Sequence, residues 1–247
     1  KMRNIKLTIE YDGKDFNGWQ KQPNKLNIQG TIEQAIERIT GEKVDLNASG
    51  RTDAGVHAYG QVANFKTNSN IPIEKIPIAI NSNIKKSIVI KSAEEVEERF
   101  HSRLNCKRKT YRYVINNSKY GTAIYRNLET HIPQKLNVEK MKQAVKYFEG
   151  EHDFKAFKAS GTSSKSSVRT IYKAEIIEKE NEKIYIELTG NGFLYNMVRI
   201  IAGTLVEVGL EKIEPEDIKE IIKSKKRENA GKTLPPQGLY LLKVEYD

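Results

Sequence analysis

Residues 191 to 210, NGFLYNMVRIIAGTLVEVGL, are nearly continuous apolar sequence at helical spacing. Leu194, Met197, Val198, Ile200, Ile201, Leu205 and Val206 leave little of the circumference polar, so a helix from about 194 to 209 must be covered on almost every side. The spacing alone does not say whether the covering elements come from this chain or from a second copy. Arg199 stands in the middle of the predicted helix. A buried guanidinium without a partner costs several kcal/mol, so a carboxylate or backbone carbonyls must meet it. Either Arg199 reaches an edge or pairs structurally with a Glu, or it holds an acid ionised in a cleft. Asp53 is the candidate acid, because its loop has small neighbours that permit close approach.

The rest of the chain supplies elements to wrap such a helix. IKLTIEY (5 to 11), QVANF (61 to 65), TYRYVI (110 to 115) and LYLLKVEY (239 to 246) alternate as strands, and VDLNASG and KSIVIKSAEE read as two more. TIYKAEIIEK and EKIYIELTG read as a hairpin with its turn near Glu180 to Glu182. Ile28, Ile32, Ile36 and Ile39 recur at helical spacing, predicting an amphipathic helix over about 29 to 40. Further helices are expected around Ile73 to Ile80, Val138 to Phe148 and 215 to 225. Strands joined by hairpins, with helices between them, argue for an α+β fold with antiparallel sheets. The second part of the chain repeats the plan of the first, which divides it into 1–108 and 109–247. KASGTSSKSSVR, 158 to 169, reads as a mobile loop.

Charge narrows the partners. Lys and Arg number 42 against 32 Asp and Glu, a net charge of +10 with an isoelectric point near 9.4. Such a chain attracts polyanions, nucleic acid foremost, although lysine-rich chains are also basic without binding any. RFHSRLNCKRKTYR, 99 to 112, is sharper: six cations, no acid, and Tyr111 and Tyr113 interleaved with them. Cations for phosphates and aromatics for bases suit a single-stranded or flipped-base site. A second run, KSKKR at 223 to 227, is equally a solvated helix end. One cysteine, Cys106, rules out an intrachain disulfide and a multi-cysteine zinc site, and with no signal-peptide pattern the expected location is the cytoplasm.

The stretch ASGRTDAGVHA, 48 to 58, places Arg51 and Asp53 among residues too small to pack around them. Other nucleic-acid chemistries leave marks that are missing here. A zinc deaminase needs Pro-Cys-x-x-Cys. Tyr195 stands where a dinucleotide fingerprint beginning at Gly190 needs its third glycine, and Lys226 where a phosphate loop ending Gly231-Lys232-Thr233 needs its first. A hydrolytic glycosidase wants two carboxylates across the bond, and this stretch offers one. What remains is chemistry on a single aspartate without metal or cofactor, or an Asx-type loop cap with no chemistry.

Six segments in order resemble the TruA-type tRNA pseudouridine synthases: YDGKDFNGWQKQ with NIQGTIEQAI, SGRTDAGVHA, RFHSRLNCKRKTYRY, EHDFKAF, GNGFLYNMVRIIAGTL and PPQGLYL. AGKTLPPQGL departs from the family's more usual Gly-Pro after the alanine. The resemblance implies two similar α+β halves with mainly antiparallel sheets and a central basic cleft. It further implies a homodimer, no cofactor, and conversion of uridine to pseudouridine in the tRNA anticodon stem-loop at tRNA positions 38, 39 and 40. By position it makes Asp53 the catalytic aspartate and Arg51 a neighbour that holds the flipped nucleotide. Tyr111 would stack on the uracil, Leu239 would pack against its other face, and Arg199 would pair with Asp53.

Each assignment has a plainer rival. Tyr111, Tyr113 and Ile115 share one strand face, which periodicity reads as core, and Leu239 reads as core too. His57 suits a loop-shaping role, and Trp19 either anchors packing or meets RNA. A noncatalytic tRNA-binding protein on the same fold would use the basic segment equally well. One carboxylate serves base detachment and reattachment whether it attacks the sugar, attacks the base or removes a sugar proton.

Overall fold

The computed structural model describes residues 2 to 161 and 164 to 247; of the expected loop 158 to 169, Thr162 and Ser163 lie outside the described residues. Contacts divide the chain into two compact units, Lys1–Lys107 with Tyr240–Asp247, and Arg108–Leu239. The first unit opens with β1 (Arg3–Tyr11), whose alternation buries Ile5, Leu7, Ile9 and Tyr11 on one face. Next comes α1 (Ile28–Thr40), which begins where the Asn27 side chain accepts from the Gly30 N–H and ends at Gly41 in a left-handed conformation. Its Ile28, Ile32 and Ile36 form the buried stripe expected from their spacing. Two residues of β2 (Asn47–Ala48), the long β3 (His57–Thr67), a short α2 (Ile76–Asn81) and β4 (Ile88–Val96) complete this stretch.

The second unit contains β5 (Arg108–Asn116), β6 (Thr130–His131), α3 (Val138–Val145), β7 (Gly150–Asp153), β8 (Val168–Lys179), β9 (Lys183–Gly190), α4 (Met197–Gly209) and α5 (Asp217–Ser224). After it, β10 (Leu239–Glu245) carries the chain back into the first unit. There the strand order is β4-β1-β3-β10. Leu7 lies opposite Ala63 and Ala93 in antiparallel register, while β10 runs parallel to β3 with Tyr240 opposite His57. In the second unit the order is β5-β9-β8-β7, antiparallel throughout, with Ile186 opposite both Tyr113 and Ile176. The fold is α+β with mainly antiparallel sheet flanked by helices. Among the described residues no helix is long and apolar enough to cross a membrane.

Several expected boundaries move. The apolar helix starts at Met197 rather than 194, because Asn196 adopts a left-handed conformation with φ 60° and breaks the helical path. Arg199 therefore sits in the first turn of α4 and is half-buried, not enclosed at mid-helix. The helix is otherwise as enclosed as its composition requires, from Ile200 to Val206. The Ile73 to Ile80 segment is a single 3₁₀ turn, Ile73–Lys75, followed by α2, and the Val138 to Phe148 segment ends in another, Lys146–Phe148. The basic run 223 to 227 straddles the end of α5, which closes on Lys225 at φ 56°.

Candidate active site

Two glycine-bearing loops of the first unit fold against each other. Residues 12 to 19 lie between β1 and α1, and residues 49 to 56 lead into β3. A Cβ on Gly13 would stand 2.0 Å from the Val56 carbonyl oxygen, and one on Gly18 2.8 Å from that of Thr52. Only glycine lets the backbones approach so closely, and Gly18 also needs its φ of 85°. The Trp19 N–H donates to the Thr52 carbonyl at 3.0 Å, closing the contact. Trp19 itself is buried with its ring centroid 6.2 Å from that of Tyr11, so it anchors packing.

The tip of the second loop is a tight turn. The Val56 N–H donates to the Asp53 carbonyl at 3.1 Å, and Gly55 supplies the positive φ, 83°, that such a turn requires at its third position. Asp53 heads the turn and is half-buried, whereas Arg51 is exposed and donates from Nη1 to Gln20 Oε1 at 2.8 Å. The small residues are thus the means by which two loops interlock and leave the charged pair at their surface.

Polar groups hold the loop from beneath. Tyr11 Oη lies 2.7 Å from Thr52 Oγ1, and burial pushes the Tyr11 hydroxyl up to about 12, so it stays neutral. Ser49 Oγ donates to Gln61 Oε1 at 2.7 Å, and Gln61 Nε2 donates to the Gly50 carbonyl at 3.1 Å. His57 is buried beside the Tyr240 ring, centroids 4.8 Å apart. The Gly13 N–H lies 3.0 Å from its Nδ1, and Asp12 Oδ1 3.3 Å from the same nitrogen. That arrangement fits a residue that shapes the loop. Tyr11 and Thr52 lie within the YDGKDFNGWQKQ and SGRTDAGVHA segments, whereas Gln61 lies outside both. What marks the three as a network is a polar group on a strand face, or beside one, that is otherwise apolar.

Tyr111, Arg199 and Leu239 belong to the second unit. Tyr111 is half-buried on β5, and the edge of Phe193 meets it at 5.1 Å and 84°. Tyr113, next on the same face, is fully buried; its hydroxyl bonds with Thr130 and donates to the Pro235 carbonyl at 2.6 Å. Burial raises its pKa far above the usual tyrosine value. Arg199 donates from Nε to the Leu234 carbonyl at 2.8 Å and from Nη1 to Asn196 Oδ1 at 2.9 Å. Backbone and amide oxygens thus meet the guanidinium, as its position demands. The segment from Leu234 to Leu239 runs between Arg199 and the Tyr113 hydroxyl and delivers Leu239, buried, at the head of β10.

The basic segment divides. Arg99, Arg103 and Lys107 are exposed in the first unit. The turn that displays them is pinned by Ser102, whose N–H and hydroxyl both donate to Asn64 Oδ1, and by Tyr246, whose hydroxyl donates to the Ser102 carbonyl. Arg112, by contrast, is engaged on its own sheet: Nε lies 2.7 Å from Glu187 Oε2 and its guanidinium 4.3 Å from the Tyr185 ring centre.

A family model described as tRNA pseudouridine synthase matches residues 7–105 and 144–247. The chain belongs to the tRNA pseudouridine synthase family. It is 53% identical over 245 residues to the tRNA pseudouridine synthase A of Acetivibrio thermocellus, covering 99% of this chain and 100% of that one. The tRNA pseudouridine synthase A of Caldicellulosiruptor bescii and the tRNA pseudouridine synthase A 2 of Clostridium perfringens are each 54% identical over 245 residues, with the same coverage. The chain is accordingly an isomerase that forms pseudouridine in tRNA. The six sequence segments and the relatives agree on the family.

Proposed function

We propose that this enzyme isomerises uridine to pseudouridine in the anticodon stem-loop, at tRNA positions 38, 39 and 40, with Asp53 as its one catalytic carboxylate. In the reaction the bond from the sugar C1′ to uracil N1 breaks, the base turns, and a bond from C1′ to C5 forms. N1 ends protonated and the C5 hydrogen leaves to solvent, so atoms balance without an outside reactant. The observation that carries the reading is the Asp53 turn: a half-buried carboxylate on a rigidly braced loop, with glycine and alanine beside it. Small neighbours leave room for an extruded nucleotide, whose unstacking costs a few kcal/mol.

The remaining roles follow the family resemblance. Arg51, exposed beside Asp53, holds the flipped nucleotide. Tyr111 stacks on the uracil and Leu239 packs on its other face, which keeps water from the detached base. Arg199 pairs with Asp53 and holds it ionised. The working enzyme is a homodimer in the cytoplasm and uses no cofactor. Transcripts retaining a single anticodon stem-loop uridine test the site specificity. Conversion of each at 38, 39 or 40, and none in a transcript lacking all three, is the expected result. Pseudouridine formed elsewhere in the latter transcript contradicts it.

A further inference from the structure

A buried polar network lies directly under the loop that carries Arg51 and Asp53. Ser49 Oγ donates to Gln61 Oε1 at 2.7 Å; Gln61 Nε2 donates to the Gly50 carbonyl at 3.1 Å and to Tyr11 Oη at 3.4 Å; Tyr11 Oη and Thr52 Oγ1 share a 2.7 Å bond. Ser49, Gln61, Tyr11 and Thr52 are all buried, and none of their side-chain polar atoms is left without a partner. Backbone bonds complete the grip, from the Ser49 N–H to the Val62 carbonyl at 2.8 Å and from the Trp19 N–H to the Thr52 carbonyl at 3.0 Å.

Holding a loop on a core does not require this. Phe at 11 and Val at 52 would pack with similar volume and bury no polar atom, and apolar replacement of a buried polar pair is often neutral for stability. What the polar version adds is direction. Hydrogen bonds fix angles as well as distances, and these reach residues 49, 50 and 52, so the two residues whose side chains point to chemistry have little freedom left between them. Tyr11 comes from β1 and Gln61 from β3, so the reference frame is the sheet itself.

We infer that Tyr11 and Gln61 are positioning residues, which set the direction in which the Arg51–Asp53 segment is presented to the target uridine. The inference rests on the reading of Asp53 as the catalytic carboxylate. Its test compares Tyr11→Phe with the double variant Tyr11→Phe/Thr52→Val, measuring kcat, KM for tRNA and Tm. Tyr11→Phe strands the Thr52 hydroxyl and loosens the loop. It should lower kcat roughly 10- to 100-fold, the cost of about an ångström of misplacement, while KM rises no more than about threefold, because Arg51 is one contact among the many phosphate contacts that dominate tRNA affinity. The double variant leaves no stranded hydroxyl, so Tm should recover while kcat stays low.

Recovery of kcat together with Tm would show the network to be merely structural and overturn the inference, as would a wild-type kcat in Tyr11→Phe. If Tyr11→Phe does not fold, Thr52→Val, which deletes the other hydroxyl of the same bond, carries the same comparison. Asp53→Asn measured alongside separates the two readings. Near-normal turnover in that variant removes Asp53 itself, whereas its loss with full activity in Tyr11→Phe removes only the network.

Discussion

Arg103 and Arg112 carry the same charge in the same basic run, yet they meet different surroundings. Arg112 is held by Glu187 and by the Tyr185 ring, whereas Arg103 is exposed on a pinned turn. Arg103→Ala should therefore weaken tRNA binding at every salt concentration and reduce the slope of log K against log salt by about 1, the loss of one phosphate contact. Arg112→Met should leave that slope unchanged and show its effect in stability instead. Equal slopes for both variants would contradict the division. The acid-free run is plain in the sequence, but the engagement of Arg112 is not, since Glu187 lies 75 positions further on. The same holds for Asp53. Its small neighbours are visible in sequence, while the meeting of the Tyr11 and Gln61 groups beneath it is not, because they come from two separate strands, β1 and β3.

At the scale of elements, α4 shows how spacing predicts a helix and misses its ends. Apolar periodicity places the helix and its burial correctly, but the left-handed Asn196 and the Leu194–Met197 turn shift its start. Gly203 within it looks like a simple cost to helicity. Its reason is a neighbour: a Cβ there would stand 1.8 Å from the Lys232 carbonyl oxygen. The irregular segment after α5 is fastened along this face by the Gly231 N–H to Thr204 Oγ1 at 2.9 Å and the Leu234 N–H to the Arg199 carbonyl at 3.2 Å. Gly203→Ala should cost about 1–3 kcal/mol by overpacking, and a chain of this size loses roughly 2–4 °C of Tm per kcal/mol. Thermal unfolding checks it; an unchanged Tm would mean that the segment yields freely and that the close approach carries no weight.

For the whole molecule, the periodicity of the single strands and helices was enough to read an α+β class, and the β8–β9 hairpin is local, but the pairing of β1 with β4 (Leu7 opposite Ala93) and of β5 with β9 (Tyr113 opposite Ile186) joins strands far apart in the chain. The return of β10 to the first unit, parallel to β3, was not legible, since pairing between strands so far apart leaves no periodic trace. The net charge of +10 suits a polyanionic substrate, and it is equally compatible with binding alone. Only turnover separates catalysis at Asp53 from its rivals. The most direct measurement is tritium release from tRNA labelled at uridine C5, with no cofactor or metal added, for the wild-type enzyme and Asp53→Asn. Release by the wild type, with its loss in a folded Asp53→Asn that still binds tRNA, is the predicted result. Near-normal release by Asp53→Asn would contradict the central claim, because the C5 hydrogen would then leave without the carboxylate on which the whole site is built.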